Sequence, residues 1–494
     1  MDIDISSVLA PAAALIVGYI GIEVTRRLSL SPLRTVPGPF LAKLTSAHES
    51  YYLITGRSGL YLHELHKKHG SPNSVSIIDP DSLKKVYSEP GYRKSTLFRM
   101  FDNPVPSVFS TCDPDVHRRK RRTMAPSLNT ASILRSEDLI WNSGPSALVS
   151  KLGQLAKEGS PVNICKLFHC MTLDVIFDLA FNRQMKLIEK DDHEIFWRIK
   201  RGHLYRVFKV CFPIFYRWEP RWLTSWGSDS AKYVDDLCTK AVQDARKRTP
   251  EQQRNDLIGS LIHAVDPDTG VGMGDEELVS ETFTVLIGGS DTVSASMTWV
   301  VELVESHPLV KQRLLAEIDA VYPDPTTRPR IADKSRLPYL EAVVLEMWRI
   351  MSIVPSGMYR VVPEGGRTLC GHFLPAGTMI NPCVYGSHRS AQFWPRAEEF
   401  VPERWLEPGA EANKQKLMQF GLGPRTCFGR SLAQSEIFLT IAAVYRNFEF
   451  TLVDGRPQAY HELFLAPKNS ILRARVYRRQ DNGTVDAQTC VTAK

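Results

Sequence analysis

The 494 residues predict a mainly α-helical fold with small peripheral β-sheets, arranged as a single catalytic domain behind an N-terminal membrane anchor. Three observations carry that prediction. Helical periodicity dominates long stretches, β-rich pieces are short and scattered, and an uncharged apolar run precedes everything else. No internal repeat or low-complexity tract divides the remainder. The expected organisation is therefore a luminal tail and anchor over 1–27, a proline-rich hinge over 28–40, one domain over 41–479 and a polar tail over 480–494.

The anchor is read from Ile5 to Ile22, eighteen residues without a charge. As a helix they rise roughly 27 Å, close to the hydrocarbon thickness of an endoplasmic reticulum bilayer. Asp2 and Asp4 precede the run, whereas a cleaved signal peptide carries basic residues there; Arg26, Arg27 and Arg34 follow it. The positive-inside rule then puts the short tail in the lumen and the rest in the cytosol, giving a single-pass endoplasmic reticulum protein. Pro32 to Pro39, with Pro37-Gly38-Pro39 at its end, is a stiff, non-helical connector. In a cytosolic tail the glycosylation pattern Asn482-Gly-Thr484 goes unused.

Within the domain, helices are expected from Ala131 through Arg246, over Asp275–His307 before Pro308, over Leu340–Ile350 and from Arg430 onward. Strands are expected at Ser74–Ile78, Thr378–Ile380 and Phe448–Val453. A net charge of +7 is a mild surplus for this length, expected to be local and not a nucleic-acid surface. Nine cysteines, an odd count without a C-x-x-C pair, argue against a disulfide framework or a zinc module.

One of the nine stands apart. Cys427 lies in Phe420-Gly-Leu-Gly423-Pro-Arg425-Thr-Cys427-Phe-Gly429, directly before a helix start whose unpaired N–H groups lower a thiol pKa. A thiolate as single proximal ligand donates electron density to haem iron and favours O–O cleavage. The glycines allow close backbone approach, and Arg425 suits a propionate. Five specified residues at about 5% background frequency give on the order of one chance match in ten thousand chains of this length. The segment resembles the haem-binding loop of the cytochrome P-450 superfamily, the haem-thiolate monooxygenases, at Phe420, Gly423, Arg425, Cys427 and Gly429. The other eight cysteines read as core.

Three further segments extend the resemblance. Gly288-Gly289-Ser290-Asp291-Thr292-Val293 sits mid-helix, where two glycines cost about 1 kcal/mol each relative to alanine. Close helix packing would account for them; so would room for dioxygen over the iron, with Thr292 and Asp291 relaying protons, as in the family's oxygen-activating helix. Val293 departs from the usual hydroxyl, although Ser294 follows. Glu346-Met-Trp-Arg349, one helical turn apart among apolar neighbours, implies a buried pair. Phe400-Val-Pro-Glu-Arg404-Trp resembles the segment whose arginine completes it, so Glu346, Arg349 and Arg404 are expected to form a triad that locks the cysteine loop.

The basic run His117-Arg-Arg-Lys-Arg121-Arg122 matches the family's helix over one haem edge. His117 replaces a commoner tryptophan, Arg121 matches a propionate-binding arginine, and Arg360 is a third propionate candidate. The remaining cations, Arg118 to Arg122, are expected to face solvent and steer an acidic electron donor. Only Ser71-Pro72 stands where the family has an extra strand, so several residues are missing there.

The resemblance, which spans nearly the whole chain and is nearest to microsomal members of filamentous fungi, implies haem b on Cys427, dioxygen as co-substrate and electrons from NADPH. No flavin or nicotinamide segment is present, so those electrons are expected through a separate reductase, with a cytochrome b-type donor as a further partner. The expected activity is oxidation of an apolar small molecule in secondary-metabolite biosynthesis. Phe98, Phe101, Val108, Ile287, Ile353 and Met358 are candidate substrate contacts. A haem-thiolate isomerase or dehydratase, needing no outside electrons, and a non-catalytic haem-binding protein are the alternatives.

Overall fold

The computed structural model describes residues 17–479 apart from 20, 32, 34–35, 45–50, 53–54, 70–75, 212–220, 254–255, 325 and 462–463. The shortened segment at Ser71-Pro72, the pattern at Asn482 and most of the expected anchor lie outside the described residues. Among those described, no helix is long and apolar enough to cross a membrane.

The elements that shape the site are α1 (Pro80–Ser88), α2 (Pro114–Met124), α3 (Ile164–Phe181), α4 (Glu194–Cys211), α5 (Arg221–Arg246), α6 (Asp275–Glu305), α7 (Pro338–Ile350) and α8 (Arg430–Asn447). Their starts follow local chemistry. Asp79 and Asp113 cap α1 and α2 with side-chain oxygens, each followed by proline at the first helical position, where no N–H is missed. The 31 residues of α6 are about 46 Å long; three acids occupy its first turn, and Pro308 lies beyond its last residue, near the expected bounds. The helix is buried on most of its surface and packs against α3, α5, α7 and α8, which makes it the axis of the main core.

The sheets are small. β1 (Ser76–Ile77), β2 (Arg93–Lys94), β4 (Arg360–Val361) and β5 (Met379–Pro382) form one in the order β1-β5-β4-β2, with β1 parallel to β5. β3 (Val162–Asn163), β6 (Phe448–Leu452) and β7 (Arg473–Arg478) form a second in the order β3-β7-β6. β3 interrupts the block expected to be helical from Ala131 to Arg246. Two residues carry no readable alternation, and their pairing with Ala474 and Arg473 is entirely nonlocal.

Candidate functional site

A cavity of about 350 Å³ opens between α2, α6 and the loop before α8, and Cys427 lines it. Cys427 is the one exposed cysteine among the described residues, accessible where it borders the cavity. Its backbone N–H donates to the Phe420 carbonyl at 2.7 Å, closing the loop around the sulfur. Burial pushes the thiol pKa up, while the Gly429 N–H and the Arg121 charge act in the opposite direction. Cys165, Cys170, Cys238 and Cys383 are buried with thiols pushed to about 12 or beyond by desolvation, the behaviour of core cysteines.

Four cations converge on the same cavity: Lys94, Arg121, Arg360 and Arg425, with His117 among them. Their donors reach only backbone carbonyls: Arg121 to Thr426 at 2.8 Å, Arg360 to Met358 at 3.0 Å, Arg425 to Thr111 at 2.8 Å, and Lys94 to Phe109. None of the four makes a salt bridge to a carboxylate among the described residues. Burial lowers the pKa of Lys94 far below its ordinary range and that of Arg425 to about 10, with Arg360 adding repulsion in both cases. Burial and the neighbouring arginines hold His117 neutral, at about 3. Buried like charges without counter-ions are stable only beside an anion, and the two propionates of haem fit that demand. Lys94 escaped the sequence reading because a single lysine in a two-residue strand has no distinguishing neighbour.

On α6 the adjacent glycines divide the two explanations between them. A Cβ at Gly289 would lie 2.4 Å from Ile176 of α3, so this glycine serves close packing; a Cβ at Gly288 would meet nothing within 4 Å, and its backbone borders the cavity. Thr292, one turn on, also lines the cavity, and its hydroxyl donates to the Gly288 carbonyl at 2.8 Å. Asp291 does not line it. Its Oδ1 faces His169 Nε2 of α3 at 3.8 Å, while His169 Nδ1 bonds to the Cys165 carbonyl at 2.8 Å. Ser294 does not substitute for the hydroxyl absent at Val293, because it is buried and donates to the Asp291 carbonyl at 3.1 Å.

The expected triad is assembled. Glu346 Oε1 accepts from Arg349 Nη2 at 2.8 Å, Arg404 Nε at 3.0 Å and the Val401 N–H at 2.9 Å, while Oε2 accepts from Arg349 Nε and Trp405 Nε1, both at 2.9 Å. Arg349 also donates to the carbonyls of His388, Ala397 and Glu399, so what the triad grips directly is the 388–405 segment. Its link to the cysteine loop is His388, which sequence reasoning missed. Nε2 accepts the Met418 N–H at 3.0 Å and Nδ1 bonds to Ser352 at 2.8 Å.

Two expectations are corrected. Gly423 does not line the cavity: with φ of +69°, it passes the end of α1 so closely that a Cβ would lie 2.5 Å from the Tyr87 carbonyl oxygen. The charged helix is not an open basic face either. Arg119 pairs with Glu277, Lys120 with Glu277 and Glu281 at 2.9 and 3.0 Å, and Arg122 with Asp266 and Asp268 at 2.9 and 2.6 Å. Arg118 alone is largely exposed, beside Asp115, and Arg121 turns inward. Acids about 150 residues away in sequence neutralise the run, leaving little field for steering a partner. By contrast, Phe98, Phe101, Val108, Ile287, Ile353 and Met358 all border the cavity. His203 of α4 joins them, unmarked in sequence because nothing distinguishes it from a core histidine.

Known proteins resemble this chain over most of its length. Residues 54–473 match the family model for cytochrome P-450. A cytochrome P-450 monooxygenase of Aspergillus fumigatus, helB3, is 28% identical over 90% of this chain and 89% of its own. Benzoate 4-monooxygenase bphA of Aspergillus niger is 29% identical over 89% and 92%. Among solved structures, the haem domain of cytochrome P-450DA superposes with a TM-score of 0.76 at 19% identity, covering 91% of this chain and 98% of that one.

Proposed function

Because this chain belongs to the cytochrome P-450 family and is a monooxygenase, we propose that it oxidises an apolar small molecule using NADPH-derived electrons passed from a separate reductase, in a fungal secondary-metabolite pathway. The observation that carries the proposal is the cavity itself, where an accessible cysteine and four carboxylate-free cations face an otherwise apolar wall. Similarity to named fungal monooxygenases supports the reaction class. Attachment to the endoplasmic reticulum through residues 5–22 belongs to the same proposal and rests on their hydropathy.

Haem, when bound, supplies reductive activation of dioxygen and insertion of one oxygen atom into the substrate. Cys427 holds its sulfur toward the cavity, fixed by the Cys427–Phe420 backbone bond. Lys94, Arg121, Arg360 and Arg425 would hold the two carboxylates of haem. Phe98, Phe101 and Ile287 exclude water from the reacting side. Thr292 Oγ1 commits its own proton to Gly288 and so turns lone pairs toward the cavity, where it orders an incoming proton donor. Asp291 stands behind it, off the cavity wall, as the next proton-holding group.

The test is turnover of the membrane-bound holoenzyme with a fungal reductase, NADPH and a panel of terpenoid, polyketide and indole compounds under labelled dioxygen. The expected result is one labelled oxygen atom per product and a thiolate-type Soret band in the reduced carbon monoxide complex, lost in Cys427→Ala. Product formed without NADPH would instead favour an isomerase or dehydratase.

A further inference from the structure

We infer that His203 is a polar anchor for substrate, so that the cavity takes an apolar molecule bearing one uncharged hydroxyl or carbonyl group. This rests on the monooxygenase reading and adds the substrate class. His203 and Val207, one turn apart on α4, both line the cavity. The imidazole is 7% exposed, and neither ring nitrogen meets a protein hydrogen-bond partner among the described residues. A buried donor and acceptor left unmet cost free energy on the scale of lost hydrogen bonds, so a group entering the cavity is the natural partner.

The ring is also held in place. It stacks on Phe101 with centroids 5.0 Å apart and 27° between planes, and Phe101 is itself braced edge-on by Phe109 at 5.1 Å. Gly202 seats α4 so tightly on α5 that a Cβ there would lie 2.9 Å from the Ala231 Cα, leaving the helix little freedom to carry the ring elsewhere. Other polar groups nearby are engaged. The Thr284 hydroxyl donates to the Ser280 carbonyl at 3.0 Å, and Arg206, one turn from His203, pairs with Asp235.

Burial first, and the Arg206 charge second, lower the His203 pKa to about 3, so the ring is neutral at physiological pH and offers one N–H donor and one nitrogen acceptor. A hydroxyl uses both functions and a carbonyl uses the donor. A carboxylate would bring an uncompensated charge into an apolar wall, because the cavity's cations are committed to the cofactor.

Calorimetric and spin-state titrations of the holoenzyme with adamantane, adamantanol, adamantanone and adamantane carboxylate test this directly. The alcohol or ketone is expected to bind roughly tenfold tighter than the hydrocarbon. His203→Phe, which keeps a ring against Phe101, should erase that preference; His203→Leu repeats the test without a ring, and His203→Gln should restore part of the preference. Equal affinities in the wild type, showing that water alone satisfies the imidazole, would overturn the inference. So would tightest binding of the carboxylate, or a preference that survives in His203→Phe and His203→Leu. A wild-type protein without a thiolate-type carbon monoxide spectrum would refute the monooxygenase reading as well, whereas a normal spectrum with an unchanged preference refutes only this one.

Discussion

Lys94 holds an amine 4.0 Å and 3.7 Å from the ring centres of Phe98 and Phe109, with Arg360 and Arg425 close enough to depress its pKa. Cation–π contacts offset only part of that desolvation. A base whose folded pKa lies below its unfolded value of 10.5 weakens the fold at all lower pH, and the penalty fades only as pH climbs toward the unfolded value. Lys94→Met is therefore expected to stabilise the haem-free protein by about 1–4 kcal/mol at neutral pH, and the same change should accelerate haem loss. Urea unfolding of the apoprotein and haem transfer to apomyoglobin should thus move in opposite directions; parallel movement would remove Lys94 from the propionate cradle. Thr292 gives a second test. Thr292→Val keeps shape and loses the hydroxyl, so product per NADPH should fall by roughly ten- to a hundredfold while peroxide rises and haem content stays constant. Unchanged coupling would leave Thr292 a packing residue only.

The triad and His388 act between elements. Arg349 spreads its donors over one carboxylate and three carbonyls in a plane that an ammonium group does not reproduce. Arg349→Lys should accordingly destabilise the fold by about 3–5 kcal/mol, measured by chemical denaturation. His388→Phe should strand the Met418 N–H, while Ser352 keeps its bonds to the Trp348 and Arg349 carbonyls, costing about 1–3 kcal/mol, and lower haem content more than a core substitution of equal stability cost, because Met418 leads into the cysteine loop. The pair Glu346 and Arg349 was legible in sequence, since its spacing and apolar flanks are local. His388 was not, because its partners at 349, 352 and 418 come together only in the fold. For the same reason the basic run on α2 read as a solvated face: the acids that answer it, Asp266, Asp268, Glu277 and Glu281, carry no sign in sequence of facing it.

Across the molecule, helix positions were readable to within a few residues because periodicity and proline stops are local, whereas two-residue strands such as β3 exist only through distant partners. Three deeply buried histidines make the whole fold sensitive to acid. Burial is the leading cause that lowers His169, His203 and His388 from 6.5 to about 3. Unfolded chains bind these protons first, so stability should be fully present above pH 6.5 and decline as pH falls from there toward 3. A denaturation midpoint that does not decline over that window would contradict their burial as neutral rings. The sheet β3-β7-β6 carries a further consequence, for biosynthesis. Val162 pairs with Ala474, and Ser76 with Asn381, so neither sheet closes until the ribosome has released residues far downstream of their partners. Cys427 also emerges after α2, α3 and α6 have been made. Cofactor loading should therefore come late, with nascent chains depending on chaperones to shield the apolar surface of α6 until α8 arrives.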